Sequence, residues 1–325
     1  MKAIRHCEYG SPDVLKLDDI EKPVHNDSEI LVRVRAASLN PVDGHLMRAL
    51  FPLRLMTGLR KPRKTLLGAD VAGQVEAVGR NVTQFKPGDE VFGAARPALA
   101  EYVCALERAL VIKPANVTFE QAGSVAVAGL TALQGFRKGR IQSGQKVLIN
   151  GASGGVGTFA VQIAKSFGAD VTGVCGTRNV DLVRSIGADH VIDYTKEDFT
   201  KGDRRYDLIY DLVGNHSFSE RRRVLNPNGI CVAAGVGGAG PHYGEMIGRV
   251  GGSIKGSLLS PFVRQKLVLL STKLNKDDLA MLGDLMRTGK VTPVIDRTYK
   301  LNETAEAMRY LEEGHARGKI VITVE

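Results

Sequence analysis

A chain of 325 residues, 43% hydrophobic and 24% charged, has the usage of a folded globular protein, which excludes disorder and fibrous repeats. It exceeds the roughly 250–300 residues at which single cores stop growing, so two domains are expected. The net charge of +9 sits in short clusters, Arg60-Lys-Pro-Arg-Lys64, Arg137-Lys-Gly-Arg140 and Arg221-Arg-Arg223, without interleaved aromatics, a distribution that argues against nucleic acid and leaves a solvated surface, a phosphate-bearing ligand or a membrane surface open.

The longest apolar stretch, residues 123–133, is well short of the roughly 20 residues of a membrane span, and Met1-Lys-Ala-Ile-Arg5 opens a strand pattern rather than a signal peptide. A cytoplasmic protein is expected. The four cysteines, Cys7, Cys104, Cys175 and Cys231, form no Cys-x-x-Cys pair, so the signature of structural zinc is missing.

In chain order, residues 1–119 read as mostly β, with alternating strands at 29–36 and 71–78 and turns at Lys86-Pro-Gly-Asp89 and Lys113-Pro114. From 145 to 258, β-branched runs at 146–150, 171–175, 190–194, 206–213, 229–235 and 253–258 alternate with helix-length segments. Six strands with crossovers predict a doubly wound parallel sheet. In the first crossover, Val156, Phe159, Ala160, Ile163, Ala164 and Phe167 follow a helical period that Gly168 ends, predicting one stripe packed on the sheet. Helices are expected at 261–272, 276–288 and 303–313, then a strand at 319–324. Because the parallel sheet is already complete, the C-terminal segment is expected to rejoin the first domain. The division is 1–119 with 262–325 against 120–261, with a cleft between.

Between the strand at 146–150 and its helix lies Gly151-Ala-Ser-Gly-Gly-Val-Gly157, a glycine-rich dinucleotide turn with alanine in first place. A pyrophosphate approaching main-chain N–H groups leaves no room for a Cβ at Gly154, and helix must meet strand closely at Gly157. Ala152, Ser153, Gly154, Gly155, Val156 and Gly157 are therefore candidate cofactor residues. An NAD-type turn would place a carboxylate about 20 residues further on; here Val174-Cys175-Gly176-Thr177-Arg178-Asn179 has none. Small residues leave space for a 2′-phosphate, Thr177 can donate to it and Arg178 can pair with it, so NADPH is the expected cofactor. Arg178 can equally point into solvent.

With Gly187-Ala-Asp-His-Val-Ile-Asp-Tyr194 and Asp211-Leu-Val-Gly214, these motifs resemble the medium-chain dehydrogenase/reductase superfamily, quinone oxidoreductase branch. Residues 171–179 and the ending Gly314-His-Ala-Arg-Gly-Lys319 are most similar to the chloroplast-envelope quinone oxidoreductase group. The resemblance spans the chain. It implies an α/β architecture of Rossmann sheet plus mostly β GroES-like domain, NADPH-dependent reduction of quinones or of the double bond of α,β-unsaturated carbonyls, and a homodimer. By position it implies cofactor contacts at Thr131, Cys175, Gly176, Tyr194, Leu212, Val213, Gly214, Ala234 and Gly235. Lys319 reads either as a reach to the cofactor phosphates or as a surface lysine, and Thr131 as an ordinary helix threonine if not a contact.

Alcohol dehydrogenases of the superfamily hold a catalytic zinc through a Cys and a Gly-His-Glu element. The resemblance places Asn40 and Gly68-Ala69-Asp70 at those positions, so no metal is expected: an amide does not replace a thiolate and Ala69 cannot coordinate. Asn40 is then the candidate for orienting a carbonyl or the nicotinamide ribose, with Asp43 read as fixing the local loop in preference to transferring a proton. His45 reads as a proton donor to the enolate or as a solvent-facing histidine. Phe51, in the mixed apolar and basic segment 50–64, would border the substrate entrance, where a hydrophobic or anionic substrate or peripheral membrane contact fits. A catalytically silent NADPH-binding protein and a metal-dependent alcohol dehydrogenase are the competing readings.

Overall fold

The computed structural model describes residues 1–49, 54–55, 57–234 and 264–325. They fall into two compact units, Met1–Leu130 with Leu274–Gly289 and Pro293–Glu325, and Thr131–Lys273 with Lys290–Thr292. These divisions lie later than the 119/120 and 261/262 read from the sequence. The first falls inside the helix Ala126–Gly139, which contains no proline to mark it.

In the first unit, β1 (Lys2–Arg5) and β2 (Lys16–Asp19) form an antiparallel pair. The long strand β3 (Glu29–Leu39) pairs antiparallel with β4 (Asp70–Val78) and β6 (Tyr102–Leu106), and β4 continues to β5 (Glu90–Ala94) and β7 (Leu110–Ile112). Ile30, Val32, Val34 and Ala36 of β3 are buried on one face, with only Arg33 and Arg35 less buried between them on the other, and from Ala36 to Leu39 both faces are covered. Beyond Ala36 the strand runs on to Leu39 and delivers Asn40 to the start of the helix Pro41–Arg48.

The second unit holds β8 (Lys146–Asn150), β9 (Asp170–Cys175), β10 (His190–Asp193), β11 (Tyr206–Asp211), β12 (Leu225–Ala233) and β13 (Lys266–Leu269). All pairings are parallel, in the order β10-β9-β8-β11-β12-β13. This is the doubly wound order, with ligands expected beyond the carboxyl ends of the strands. Leu148, Val174, Ile209, Phe218, Cys231 and Leu267 share one core cluster.

Two expectations are corrected. The sixth strand is β13, inside the segment read as a helix at 261–272; its apolar run Leu267–Leu269 is too short for periodicity to separate helix from strand. The strand expected at 253–258 lies outside the described residues. The crossover helix Gly155–Ser166 buries more than one stripe: Thr158, Val161 and Gln162 are buried besides Phe159, Ala160, Ile163 and Ala164. Its far side is fastened by Gln162, whose amide donates to Thr292 O at 3.0 Å and accepts from Thr292 N at 2.8 Å.

The C-terminal residues add β14 (Ile295–Lys300) and β15 (Lys319–Thr323) to the first unit's sheet, β15 lying between β14 and β3 and pairing Ile320 with Leu39. Lys319, at the start of β15, thereby reaches the carboxyl end of β3. No helix among the described residues is long and apolar enough to cross a membrane.

Candidate active site

At the carboxyl end of β8 the chain turns through Gly151, whose φ of +92° suits glycine. Gly151 and Ala152 N–H bond to Val174 O at 3.1 and 3.0 Å, which pins the turn to β9. Gly154 caps the helix in an extended conformation, with no side-chain cap. The first intrahelical bond is Thr158 N–H to Gly154 O, so the N–H groups of Gly155, Val156 and Gly157 have no acceptor within the helix. They and the positive dipole end form an anion seat.

The two key glycines are needed for different reasons. A Cβ at Gly157 would lie 2.0 Å from Gly151 O and 2.8 Å from Ala152 Cα, so the protein itself forbids it. A Cβ at Gly154 would meet nothing nearer than Gly151 O at 3.6 Å. The space above Gly154 is a cradle that a side chain would fill, which suits a pyrophosphate.

Around this turn, Ser153 Oγ accepts from Asn179 Nδ2 at 3.1 Å. Asp211, buried at the end of β11, accepts from Asn150 Nδ2 at 2.8 Å and from the N–H groups of Val213 and Gly214 at 3.2 and 3.0 Å, and pairs with buried Arg221. It thereby shapes the Leu212-Val213-Gly214 loop, a role the sequence reading missed. Ala234 N–H donates to Asp211 O at 2.9 Å; Gly235 lies outside the described residues. Thr131 O accepts from the Tyr210 hydroxyl at 2.6 Å, and its Oγ1 meets Thr272 Oγ1 at 3.1 Å. Cys175 and Cys231 are buried, and burial pushes their thiols up to about 11 and about 12, so neither is a thiolate at neutral pH.

At the end of β9 a carboxylate is present after all, supplied by the next strand. Parallel pairing sets Asp193 opposite Cys175. Thr177 Oγ1 donates to Asp193 Oδ2 at 2.6 Å and meets Thr195 Oγ1 at 2.9 Å; Thr195 donates to Oδ1 through both its N–H and its hydroxyl. The Thr177 hydroxyl holds the Asp193 carboxyl down to about 2, with Thr195 adding to it. The Thr177 hydroxyl, expected from the sequence to donate to a 2′-phosphate, here donates to Asp193. Arg178 is exposed, and Tyr194, 63% exposed, lies over Gly176, where a Cβ would stand 3.2 Å from the Tyr194 hydroxyl.

In the first unit, Asn40 and Lys319 are buried together. Lys319 Nζ donates to Asn40 Oδ1 at 2.7 Å, Asp70 Oδ2 at 3.1 Å and Leu39 O at 3.3 Å, and is 3% exposed. This overturns the reading of Lys319 as a surface lysine, and the three acceptors of its ammonium, read from the sequence as a reach to the cofactor phosphates, lie at the end of β3 and the start of β4. Asp70 Oδ2 also accepts from Ser38 Oγ at 2.6 Å and Asn40 Nδ2 at 2.9 Å, and Oδ1 from Val127 N–H at 2.6 Å. Asn40 Nδ2 has its second contact at Ser38 O, 3.5 Å. Both amide hydrogens of Asn40 thus face protein acceptors, the Asp70 contact being the shorter.

Asp43 accepts from Asn40 N–H at 2.9 Å and Gly68 N–H at 3.2 Å. It fixes the loop, and burial, reinforced by Asp70, raises its carboxyl to about 6. His45 is half-buried on the helix Pro41–Arg48. Phe51 lies outside the described residues. A zinc ion does not fit beside Asn40 and Asp70: Asn40 Oδ1 and Asp70 Oδ2 already surround an ammonium, the remaining carboxylate oxygens of Asp70 and Asp43 accept from main-chain N–H groups, and no group of three or more His, Cys, Asp or Glu able to hold a metal occurs among the described residues.

The sequence matches the alcohol dehydrogenase GroES-like domain over residues 26–177 and the zinc-binding dehydrogenase domain over 186–322. It is 34% identical to the chloroplastic NADPH-dependent alkenal/one oxidoreductase of Arabidopsis thaliana, over 99% of this chain and 79% of that one. The chain belongs to the medium-chain dehydrogenase/reductase superfamily, in its quinone oxidoreductase branch. Within it, the chloroplast envelope quinone oxidoreductase homolog of Arabidopsis thaliana is 32% identical over 99% of this chain and 98% of the relative. The quinone oxidoreductase of Coxiella burnetii, 33% identical, superposes with a TM-score of 0.85 over 100% of this chain and 99% of that one. The superfamily's two modules, GroES-like and Rossmann, account for the mostly β sheet and the parallel sheet of the two units.

Proposed function

We propose that this protein is an NADPH-dependent reductase that transfers a hydride to a quinone or to the double bond of an α,β-unsaturated carbonyl, without a metal. The observation that carries the reading is the open cradle at Gly154 above three unpaired helix N–H groups; the alkenal/one and quinone oxidoreductase relatives support the acceptor class. NADPH, when bound, supplies the hydride. The chain's residues do the rest. The turn Ala152–Gly157 receives the pyrophosphate. Cys175, Gly176, Thr177, Arg178 and Tyr194 line the adenosine side, with Arg178 pairing the 2′-phosphate while Asp193 holds Thr177 in place. Thr131, Val213, Gly214 and Ala234 line the nicotinamide half, ordered by Asp211.

On the substrate side His45 is the proton donor, since an imidazole titrates near neutrality. Asn40 and Asp43 act by holding the helix that carries it. We further read the protein as a cytoplasmic homodimer that can contact a membrane surface peripherally. Light scattering in solution tests the dimer at twice 35.0 kDa. The central test is steady-state oxidation of NADPH and NADH with graded enones, enals and quinones. NADPH consumption with one of these classes is expected. Tight NADPH binding with no turnover on any acceptor would instead mark a catalytically silent binding protein.

A further inference from the structure

We infer that Lys319 is a built-in cation that takes the place a metal ion would otherwise occupy at Asn40 and Asp70, and that it is a positioning residue for the substrate side of the site. A carboxylate as deeply buried as Asp70, with 0% exposure, needs a compensating charge and full hydrogen bonding. The structure supplies both. All three ammonium hydrogens of Lys319 have acceptors, on Leu39, Asn40 and Asp70, and both Asp70 oxygens have donors.

What makes this more than an ion pair is the asymmetry it imposes on Asn40. Lys319 donates to Oδ1 while Asp70 accepts from Nδ2, so the amide has one permitted orientation. The main chain of Asn40 is held in turn by Asp43, which also grips Gly68. One cation therefore fixes the carboxyl end of β3, the first residue of β4 and the opening of the helix that bears His45. A divalent ion at Asn40 Oδ1 and Asp70 Oδ2 would compete with the ammonium that both oxygens already hold, setting two cations against each other.

The kinetic part rests on the reductase reading; the structural part does not. The experiment compares Lys319→Met, Lys319→Arg and Lys319→Met/Asp70→Asn with wild type in thermal stability, NADPH affinity, kcat and KM, and bound zinc. Lys319→Met strands the Asp70 charge and lowers the melting temperature; the double variant removes both charges and recovers most of it. In the recovered double variant kcat stays down about tenfold or more, the size expected of a misplaced catalytic segment, because nothing donates to Asn40 Oδ1. NADPH affinity is unchanged, since the phosphate turn belongs to the other unit. Lys319→Arg keeps the charge and regains part of kcat. Wild type purified from zinc-supplemented medium holds no stoichiometric zinc.

A double variant with both stability and kcat at wild-type level would reduce Lys319 to a counter-ion and overturn the positioning role. Equal stability of the single and double variants, or one firmly held zinc per wild-type chain, would overturn the built-in cation. If wild type binds NADPH yet reduces no acceptor, the reductase reading fails, and the stability cycle and zinc content still decide this inference.

Discussion

Asp193, at the end of β10, accepts the Thr177 hydroxyl at 2.6 Å, although the two residues are 16 positions apart. The carboxylate that an NAD-type turn would carry on its second strand is therefore found on the third, turned toward two threonines. Thr177 holds it well below its ordinary value, at about 2. Removing that hydroxyl frees the carboxylate to face a 2′-phosphate and repel it. Thr177→Val is expected to weaken NADPH several-fold and NADH less, and Arg178→Ala to lower the NADPH over NADH preference by about tenfold, the worth of a charge-assisted hydrogen bond. Fluorescence titration with both cofactors reads the ratio; an unchanged ratio in both variants would remove this corner from the 2′-phosphate site.

The same carboxyl has a signature in acid. Its folded-state value is depressed, so its contribution to stability is complete above the ordinary value of 3.8 and is lost as pH falls through about 2. Asp193→Asn lacks this dependence. Melting temperatures between pH 1.5 and 5 should converge for wild type and variant at the acid end, separate in favour of wild type as pH rises from about 2 to about 4, and run parallel above that.

Asp43 has the opposite sign. Burial raises its carboxyl to about 6, so the folded state binds the proton more tightly than the unfolded chain, and stability is greatest below 3.8 and declines as pH rises to about 6. The span corresponds to about 3 kcal/mol between pH 4 and 7. Urea unfolding across that range should show wild type losing stability relative to Asp43→Asn by an amount of this order. Parallel curves would mean that the two backbone N–H donors cancel the effect of burial, and a wild type gaining stability with pH would mean that they outweigh it.

Gly154 and Gly157 separate folding from binding within one turn. Gly157→Ala drives a Cβ into Gly151 O, a backbone clash with nowhere to relax, and should cost about 1–3 kcal/mol or more in stability. Gly154→Ala meets no protein atom closer than 3.6 Å. It should melt like wild type and bind NADPH about tenfold to a hundredfold more weakly, through the loss of one phosphate hydrogen bond of about 1.5–3 kcal/mol. Wild-type affinity in a well-folded Gly154→Ala protein would place the pyrophosphate elsewhere.

These contrasts mark where the chain is legible as a sequence. Gly151 to Gly157 could be read because its constraint is local: a turn, a close approach and a helix start lie within seven residues. Asp193 could not, because only the Cys175 to Asp193 pairing of two parallel strands brings it beside Thr177. Lys319 was further out of reach, since its partner Asp70 is 249 residues away and a lysine after a glycine near a chain end has every local mark of a surface residue. The helix expected at 261–272 failed for another reason: Leu267, Val268 and Leu269 suit strand and helix alike until β12 offers an open edge. Asp211 was visible in its motif, but its buried partner Arg221 was read from the sequence as part of a basic cluster facing solvent, a phosphate-bearing ligand or a membrane surface.

That last pair gives the strongest stability prediction. Arg221 and Asp211 are 2% and 1% exposed, and Asp211 also organises Asn150, Val213 and Gly214. Truncating the arginine leaves a carboxylate buried with dipoles but no charge, a change that typically costs about 3–5 kcal/mol. Arg221→Leu should therefore lower the midpoint of chemical unfolding sharply. Whatever protein remains folded should also bind NADPH more weakly, because the Asp211 side chain that ties the Val213 and Gly214 N–H groups becomes free to take up a proton or to rotate. Arg222→Ala and Arg223→Ala, neighbours in the same cluster that are not buried, should change both measurements little, within about 0.5 kcal/mol for stability. If all three substitutions behave alike, the Rossmann loop is not held from Asp211, and the ordering of the nicotinamide side must come from elsewhere in the sheet.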